Sequence, residues 1–143
     1  MLIEAMVAIV IFSIGVFALV GLYANSIKLA SDAKARGDAS YLANQIISQI
    51  WVDRGNLANY ALYSSVATID ATCTGLGNTA AFPTVTSWLG NESKKGTVRG
   101  MLPDAKAQIL VETGTGAVTV TLCWKAPQET ETHRYTSTAL ISG

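Results

Sequence analysis

The sequence predicts an α+β fold in which one long N-terminal helix packs on an antiparallel sheet of three or four strands. Two observations support this prediction. Apolar residues recur at helical spacing, without a proline, from about Met1 to about Trp51. From Ala105 onward the pattern changes to the alternation of apolar and polar residues that is typical of strands. The length of 143 residues fits a single chain of one domain.

The first 23 residues form an almost uninterrupted apolar run, MLIEAMVAIVIFSIGVFALVGLY, whose one charged residue is Glu4. A helix of this length rises roughly 33 Å, close to the hydrocarbon thickness of a bilayer. A carboxylate in hydrocarbon costs at least ~2.5–3.5 kcal/mol, so it is tolerated mainly where it has a partner or a function. The run lacks the basic region and the small-residue cleavage segment of a signal peptide. A plain transmembrane anchor remains an alternative, although Lys28, Lys34 and Arg36 would then place the rest of the chain in the cytoplasm.

The helical pattern continues beyond the apolar run, where apolar residues at three- and four-residue spacing include Ile27, Ala30 and Ala33 and then, with their neighbours, Leu42, Ile46 and Ile50. We therefore divide the chain into an apolar half-helix, residues 1–24, and a head, residues 25–143, that includes the amphipathic half of the helix. Gly15 and Gly21 lie in the apolar half, where each weakens a helix interior by about 1 kcal/mol relative to Ala. They indicate either close helix–helix contact or a segment that unwinds locally.

Short helices and loops are predicted between the long helix and the strands. Turn residues at 53–56 end the helix, and the segment LANYALYSSV at 57–66 has the spacing of a short helix. Residues 70–83 contain the turn formers Gly75, Gly77 and Asn78 and predict a loop. Thr84 is expected to cap a further short helix that extends toward Met101.

Three strands follow, at 107–112, 117–125 and 132–141, joined by short turns. Such strands form an antiparallel meander. In the second strand one face holds Val118, Val120, Leu122 and Trp124, and the other holds Thr119, Thr121 and Cys123. The amphipathic half of the long helix is the one large apolar stripe available to cover the apolar face.

The two cysteines, Cys73 and Cys123, predict one disulfide if the chain is exported to an oxidising compartment. Closing a loop of that length stabilises the fold by ~4 kcal/mol in the chain-entropy model. Two separately buried thiols are the alternative. A zinc site needs more ligands than two cysteines, and His133 is the one histidine in the chain.

No catalytic, cofactor-binding or metal-binding pattern emerges from the sequence. It contains neither a glycine-rich phosphate loop after a strand nor an HExxH segment. The 10 basic residues balance the 10 acidic ones, and no basic patch indicates nucleic acid. We expect Trp51, Trp88 and Trp124 to pack in the core rather than to form a binding platform. The sequence therefore favours a structural or binding protein over an enzyme.

The opening Leu2-Ile3-Glu4, followed by AMVAIVIFS, closely resembles the N-terminal region of mature type IV pilins and related pseudopilins. In that family a prepilin peptidase cuts after a glycine, and the new first residue is N-methylated. The glutamate of the family is the fifth mature residue, so the resemblance implies that Met1 is the second. Many major pilins carry a proline near the place that Gly21 occupies here, which leaves unwinding of this segment in a filament open.

The resemblance implies the lollipop fold of type IV pilins and the role of a pilus subunit. The segment IVIFSIGVFALVGL, Trp88, Leu102-Pro103 and VTVTLCWK look most like minor pilins of the pilus-modification (PilV) kind. Such a subunit takes part in pilus assembly, initiation or decoration. Its partners are other pilin subunits, the prepilin peptidase and the assembly machinery, and it lies in the bacterial inner membrane before it enters an extracellular pilus.

In the family, the glutamate that matches Glu4 is proposed to pair with the N-terminal amine of a neighbouring subunit, which assigns Leu2, Ile3 and Glu4 to assembly. A major pilin and a type II secretion pseudopilin are alternatives within the superfamily. A membrane-anchored extracytoplasmic binding domain is the alternative from a different class.

Overall fold

The computed structural model describes residues 2–63, 82–127 and 129–141. Its elements in chain order are helix α1 (Leu2–Val52), a 3-10 helix (Arg54–Tyr60), helices α2 (Pro83–Leu89) and α3 (Val98–Met101), and strands β1 (Lys106–Glu112), β2 (Ala117–Trp124) and β3 (His133–Leu140). The predicted α+β fold is confirmed: a long N-terminal helix packs on an antiparallel sheet, which has three strands in the part of the chain that the structure describes.

The chain consists of two units, of which the first ends at Lys34 and the second begins at Ala35. The first unit is continuous α-helix from Leu2, and none of its described side chains is buried. By length and composition, α1 is long and apolar enough to cross a membrane. Ile27, Ala30 and Ala33 also lie in this unit and are exposed, so the buried face of the helix begins later than their spacing suggested.

In the second unit, the remaining part of α1 buries six apolar residues at three- and four-residue spacing: Ala39, Leu42, Ala43, Ile46, Ile47 and Ile50. This spacing places them on one face of the helix. They share one core with Ile109 of β1 and with Val118 and Val120 of β2, which are all fully buried. The predicted packing of helix on sheet is therefore observed over this part of α1.

The sheet is the predicted meander, with the strand order β1-β2-β3 and antiparallel pairing throughout. The predicted apolar face of β2 is buried from Val118 to Trp124. On the opposite face Thr119 pairs with Thr138 of β3 through their hydroxyl oxygens, which lie 3.2 Å apart. Thr121 and Cys123 on that same face are also buried, so this face is less open than its polar composition predicts.

The connection after α1 differs from its prediction. The helical turn is the 3-10 helix Arg54–Tyr60 rather than a helix over 57–66, and Leu62 instead forms a β-bridge with Ile109. Both backbone hydrogen bonds of this bridge measure 3.0 Å. The bridge satisfies backbone groups at the edge of β1 and ends the helical pattern. The predicted loop at 70–83 lies outside the described residues up to position 81.

Thr84 does not cap α2. Phe82 occupies the cap position and Pro83 is the first helical residue, which suits proline because that position needs no backbone donor. The helix ends at Leu89, because Gly90 adopts a positive φ of 58°, and the separate helix α3 begins at Val98.

The three tryptophans do not share one environment. Trp88 and Trp124 are buried in the core as predicted, with 5% and 2% of their surface exposed. The prediction for Trp51 is wrong, because it is 43% exposed. It follows Ile50 directly and therefore lies on a different side of α1 from the buried stripe.

Candidate functional site

The first candidate site is the exposed apolar surface of α1 between Leu2 and Leu29. Large apolar side chains in this segment are between 42% (Val16) and 80% (Leu2) exposed. Soluble monomers rarely expose contiguous apolar patches of more than a few hundred Å², and larger ones mark contacts with membranes or other proteins. This part of the helix is therefore a candidate surface for contact with a membrane or with another protein.

Glu4 lies in the first turn of α1, where the dipole of the helix favours a negative charge. Its side chain is exposed, and no described group forms an ion pair or hydrogen bond with it. The residues one and two turns away on the same side, Val7, Ala8 and Ile11, are all apolar. The carboxylate is thus the single charged group of the apolar run at 1–23, and Leu2 and Ile3 beside it are also exposed.

Gly15 and Gly21 lie within α1, which continues through both without a break. A Cβ built on either residue meets no atom within 4 Å. The two glycines are six residues apart and so lie on different sides of the helix. Nearby, the hydroxyl of Ser13 donates to the carbonyl oxygen of Ile9 at 2.7 Å, which satisfies this polar group within the helix. Close helix contact and local unwinding both remain predictions for these positions.

Cys123 of β2 is disulfide-bonded and buried. Cys73, its predicted partner and the one other cysteine of the chain, lies outside the described residues. A disulfide at this position fixes the central strand of the sheet to another part of the chain and is typical of exported proteins.

His133 has a defined environment that the sequence analysis did not predict. Its Nε2 lies 2.6 Å from Oε2 of Glu129, and its ring stacks on Trp124 with centroids 5.7 Å apart. The spacing of four residues between Glu129 and His133 was the available signal, but that signal is weak outside a helix. The arrangement holds the connection between β2 and β3.

Within residues 2–63, 82–127 and 129–141, no group of three or more His, Cys, Asp or Glu residues is arranged to hold a metal ion.

Tyr60 has a pKa above its ordinary value, chiefly because the phenol is desolvated by burial and also because it forms a hydrogen bond with Asp53. The phenol donates to Oδ2 of Asp53 at 3.1 Å, so this pair ties the 3-10 helix to the end of α1.

Comparison with known proteins identifies no relative of this chain: no family model, no curated protein and no solved structure matches it. The functional argument therefore depends on the features of the chain itself.

Proposed function

We propose that this chain is a structural subunit of a type IV pilus, of the minor-pilin kind, which assembles through the apolar half of its long helix. The observation that carries this proposal is the exposed apolar surface of α1 with the lone carboxylate of Glu4 in its first turn. The second support is the fold of the head, in which the same helix packs on an antiparallel meander.

The physics of a lone acid explains why a filament fits better than a simple anchor. An anchor in lipid gains nothing from a carboxylate near one end and has to tolerate the cost of burying it. In a bundle of such helices, an opposite charge on the neighbouring subunit offsets that cost and fixes the register between subunits. The N-terminal amine of a neighbouring subunit supplies such a charge in the type IV pilin model, with Leu2 and Ile3 packing beside the pair.

The proposed location follows from the same two features. The apolar helix holds the subunit in the bacterial inner membrane before assembly, and the head, with its disulfide at Cys123, lies on the oxidising side. Prepilin peptidase then processes the N-terminus, and the pilus assembly machinery transfers the subunit into an extracellular filament.

Mass spectrometry of sheared, purified filaments from the native host tests the proposal directly. We expect a processed and methylated N-terminus one residue before Met1, and a mass two hydrogens below that of the reduced chain. The ratio of this protein to the most abundant subunit separates a minor from a major pilin. Detection of the protein only in the membrane fraction, with an uncut leader, would support the membrane-anchored binding domain and refute a pilus subunit.

The role of Glu4 is tested by Glu4→Ala and by the isosteric Glu4→Gln, with Glu92→Ala as the control. Glu92 is an exposed carboxylate in the loop before α3, far along the chain from the apolar segment. We expect both Glu4 variants to keep the disulfide and the near-UV circular dichroism of the head, yet to be depleted from sheared pili. Normal amounts of Glu4→Gln in pili would show that the charge has no part in assembly.

A further inference from the structure

A polar cleft of about 480 Å³ lies in the second unit, between the last turns of α1, helix α2 and the loop from Gly90 to Thr97. Its volume is within the range of small-molecule sites in proteins. The residues that give it chemical character are Gln45, Gln49, Thr84, Ser87, Lys94 and Lys95. None of the residues that line the cleft is acidic.

The wall formed by α1 and α2 is held by a buried hydrogen bond. The indole Nε1 of Trp88 donates to the carbonyl oxygen of Leu42 at 3.0 Å. This contact joins α1 and α2 through two residues that are 46 positions apart in the chain. The two helices then line the cleft together, with Gln45 and Gln49 one turn apart on α1 and with Thr84 and Ser87 on α2.

The loop that carries the two lysines is also held in one shape. The hydroxyl of Thr97, a buried residue, donates to the carbonyl oxygen of Lys94 at 2.6 Å. The backbone N–H of Lys94 donates to the carbonyl oxygen of Asn91 at 3.1 Å. Gly100 packs against the Lys94 carbonyl so closely that a Cβ there would overlap it. Such a loop presents the lysine side chains from a fixed backbone.

The lining of the cleft combines neutral hydrogen-bonding groups with the positive charge of two lysines. The amides and hydroxyls both donate and accept, as the hydroxyl groups of a sugar do. The carboxamide oxygen of Gln45 is buried without a hydrogen-bond partner among the described residues, which is uncommon in a native protein. Lys94 and Lys95 are exposed and offer their ammonium groups to an anion.

We propose that this cleft binds an acidic saccharide, with the sugar hydroxyls against the amide and hydroxyl wall and the carboxylate of a uronic acid against Lys94 and Lys95. A simple anion would use the lysines and leave the neutral wall without a role. A neutral sugar would leave the two cations without a role. The proposal concerns binding by the second unit and does not depend on assembly into a filament.

The test is titration of the full ¹⁵N-labelled chain with trigalacturonate, observed by NMR, in micelles of a zwitterionic detergent whose head group carries no sugar. We expect the shifts to be concentrated at the backbone amides of 45–49, 84–88 and 94–97. The methyl-esterified trimer is the matched neutral ligand and is expected to bind about tenfold or more weakly, as expected for loss of a charge-assisted contact. Raising the salt concentration should weaken the binding of trigalacturonate and leave the binding of the ester unchanged.

Two variants separate the charged and neutral parts of the cleft. The double variant Lys94→Gln/Lys95→Gln keeps the backbone contacts of the loop and should remove the advantage of trigalacturonate over its ester. Ser87→Ala should weaken the binding of both trigalacturonate and its ester. Lys106→Gln, which removes an exposed charge at the start of β1, is the control and should change neither affinity.

Three results would overturn the proposal. One is equal binding of the acid and the ester, and a second is a set of shifts that lies elsewhere on the protein. The third is equal or tighter binding of a glutamate hexapeptide at the same residues, which would assign the cleft to an acidic protein segment instead. Spectra of the variants that match the wild type outside the loop show that the fold is intact.

Discussion

The hydrogen bond from Trp88 to Leu42 offers a sharp test of how the head is held together. Trp88→Phe removes the indole donor of this buried 3.0 Å contact and leaves a smaller ring in the core. The carbonyl of Leu42 lies within α1 and keeps its intrahelical bond, so the variant creates no orphaned acceptor. The lost hydrogen bond is worth about 0.5–1.5 kcal/mol, and the cavity adds about 1–1.5 kcal/mol. We expect the free energy of unfolding to fall by about 1.5–3 kcal/mol in total.

Trp51→Phe is the matched control, because the same substitution is made at a residue that is 43% exposed. Trp51→Phe should change the free energy of unfolding by no more than about 0.5 kcal/mol. Hydrogen exchange of the backbone amides of β2, followed by mass spectrometry on the full chain in micelles, measures both variants without a denaturant. Because each 1.4 kcal/mol is about tenfold, exchange in Trp88→Phe should be roughly ten- to hundredfold faster. A change of less than about threefold, or an equal change in Trp51→Phe, would refute the packing argument.

Three further perturbations test other contacts of the head. The pKa of Tyr60 is raised from 10.0 by burial and by the hydrogen bond to Asp53, so stability from the neutral phenol is fully present below pH 10 and is lost as the pH rises through the higher folded value. The free energy of unfolding is measured with urea, in micelles, from neutral to strongly alkaline pH. Tyr60→Phe should lose less of this free energy at alkaline pH than the wild type does. Gly90→Ala should destabilise the head by about 2 kcal/mol or more, because Gly90 has a positive φ and a Cβ would overlap the side chain of Thr97. The control Gly55→Ala places its Cβ in open space and should be neutral or stabilising by up to about 1 kcal/mol. Hydrogen exchange measures both variants. Cys123→Ser should lower the stability by about 2–5 kcal/mol, and a reductant should shift thermal unfolding of the wild type toward that of the variant.

The candidate assembly surface was predictable from sequence because it depends on local features. A run of apolar residues with one carboxylate at position 4 gives the same exposed surface wherever the helix lies. The cleft was not predictable, because Gln45 and Lys94 come together only through the packing of α2 on α1. No periodicity in the chain links residues that far apart. The pairing of Glu129 with His133 was missed for a related reason, since four-residue spacing brings side chains together in helices but not generally in turns.

The sequence by itself determined the long helix, the three strands and the two faces of β2, because each follows from a repeat of 3.6 or 2 residues that neighbouring side chains enforce. The tertiary structure alone decided where burial of the helix begins, which tryptophans are in the core, and that Leu62 joins β1 rather than a helix. These outcomes depend on what covers a residue, and that is set by contacts between segments that are distant in the chain. Ile27 and Leu42 have similar local patterns around them, yet Ile27 is exposed, whereas Leu42 is completely buried in the core that α1 shares with the sheet in the second unit.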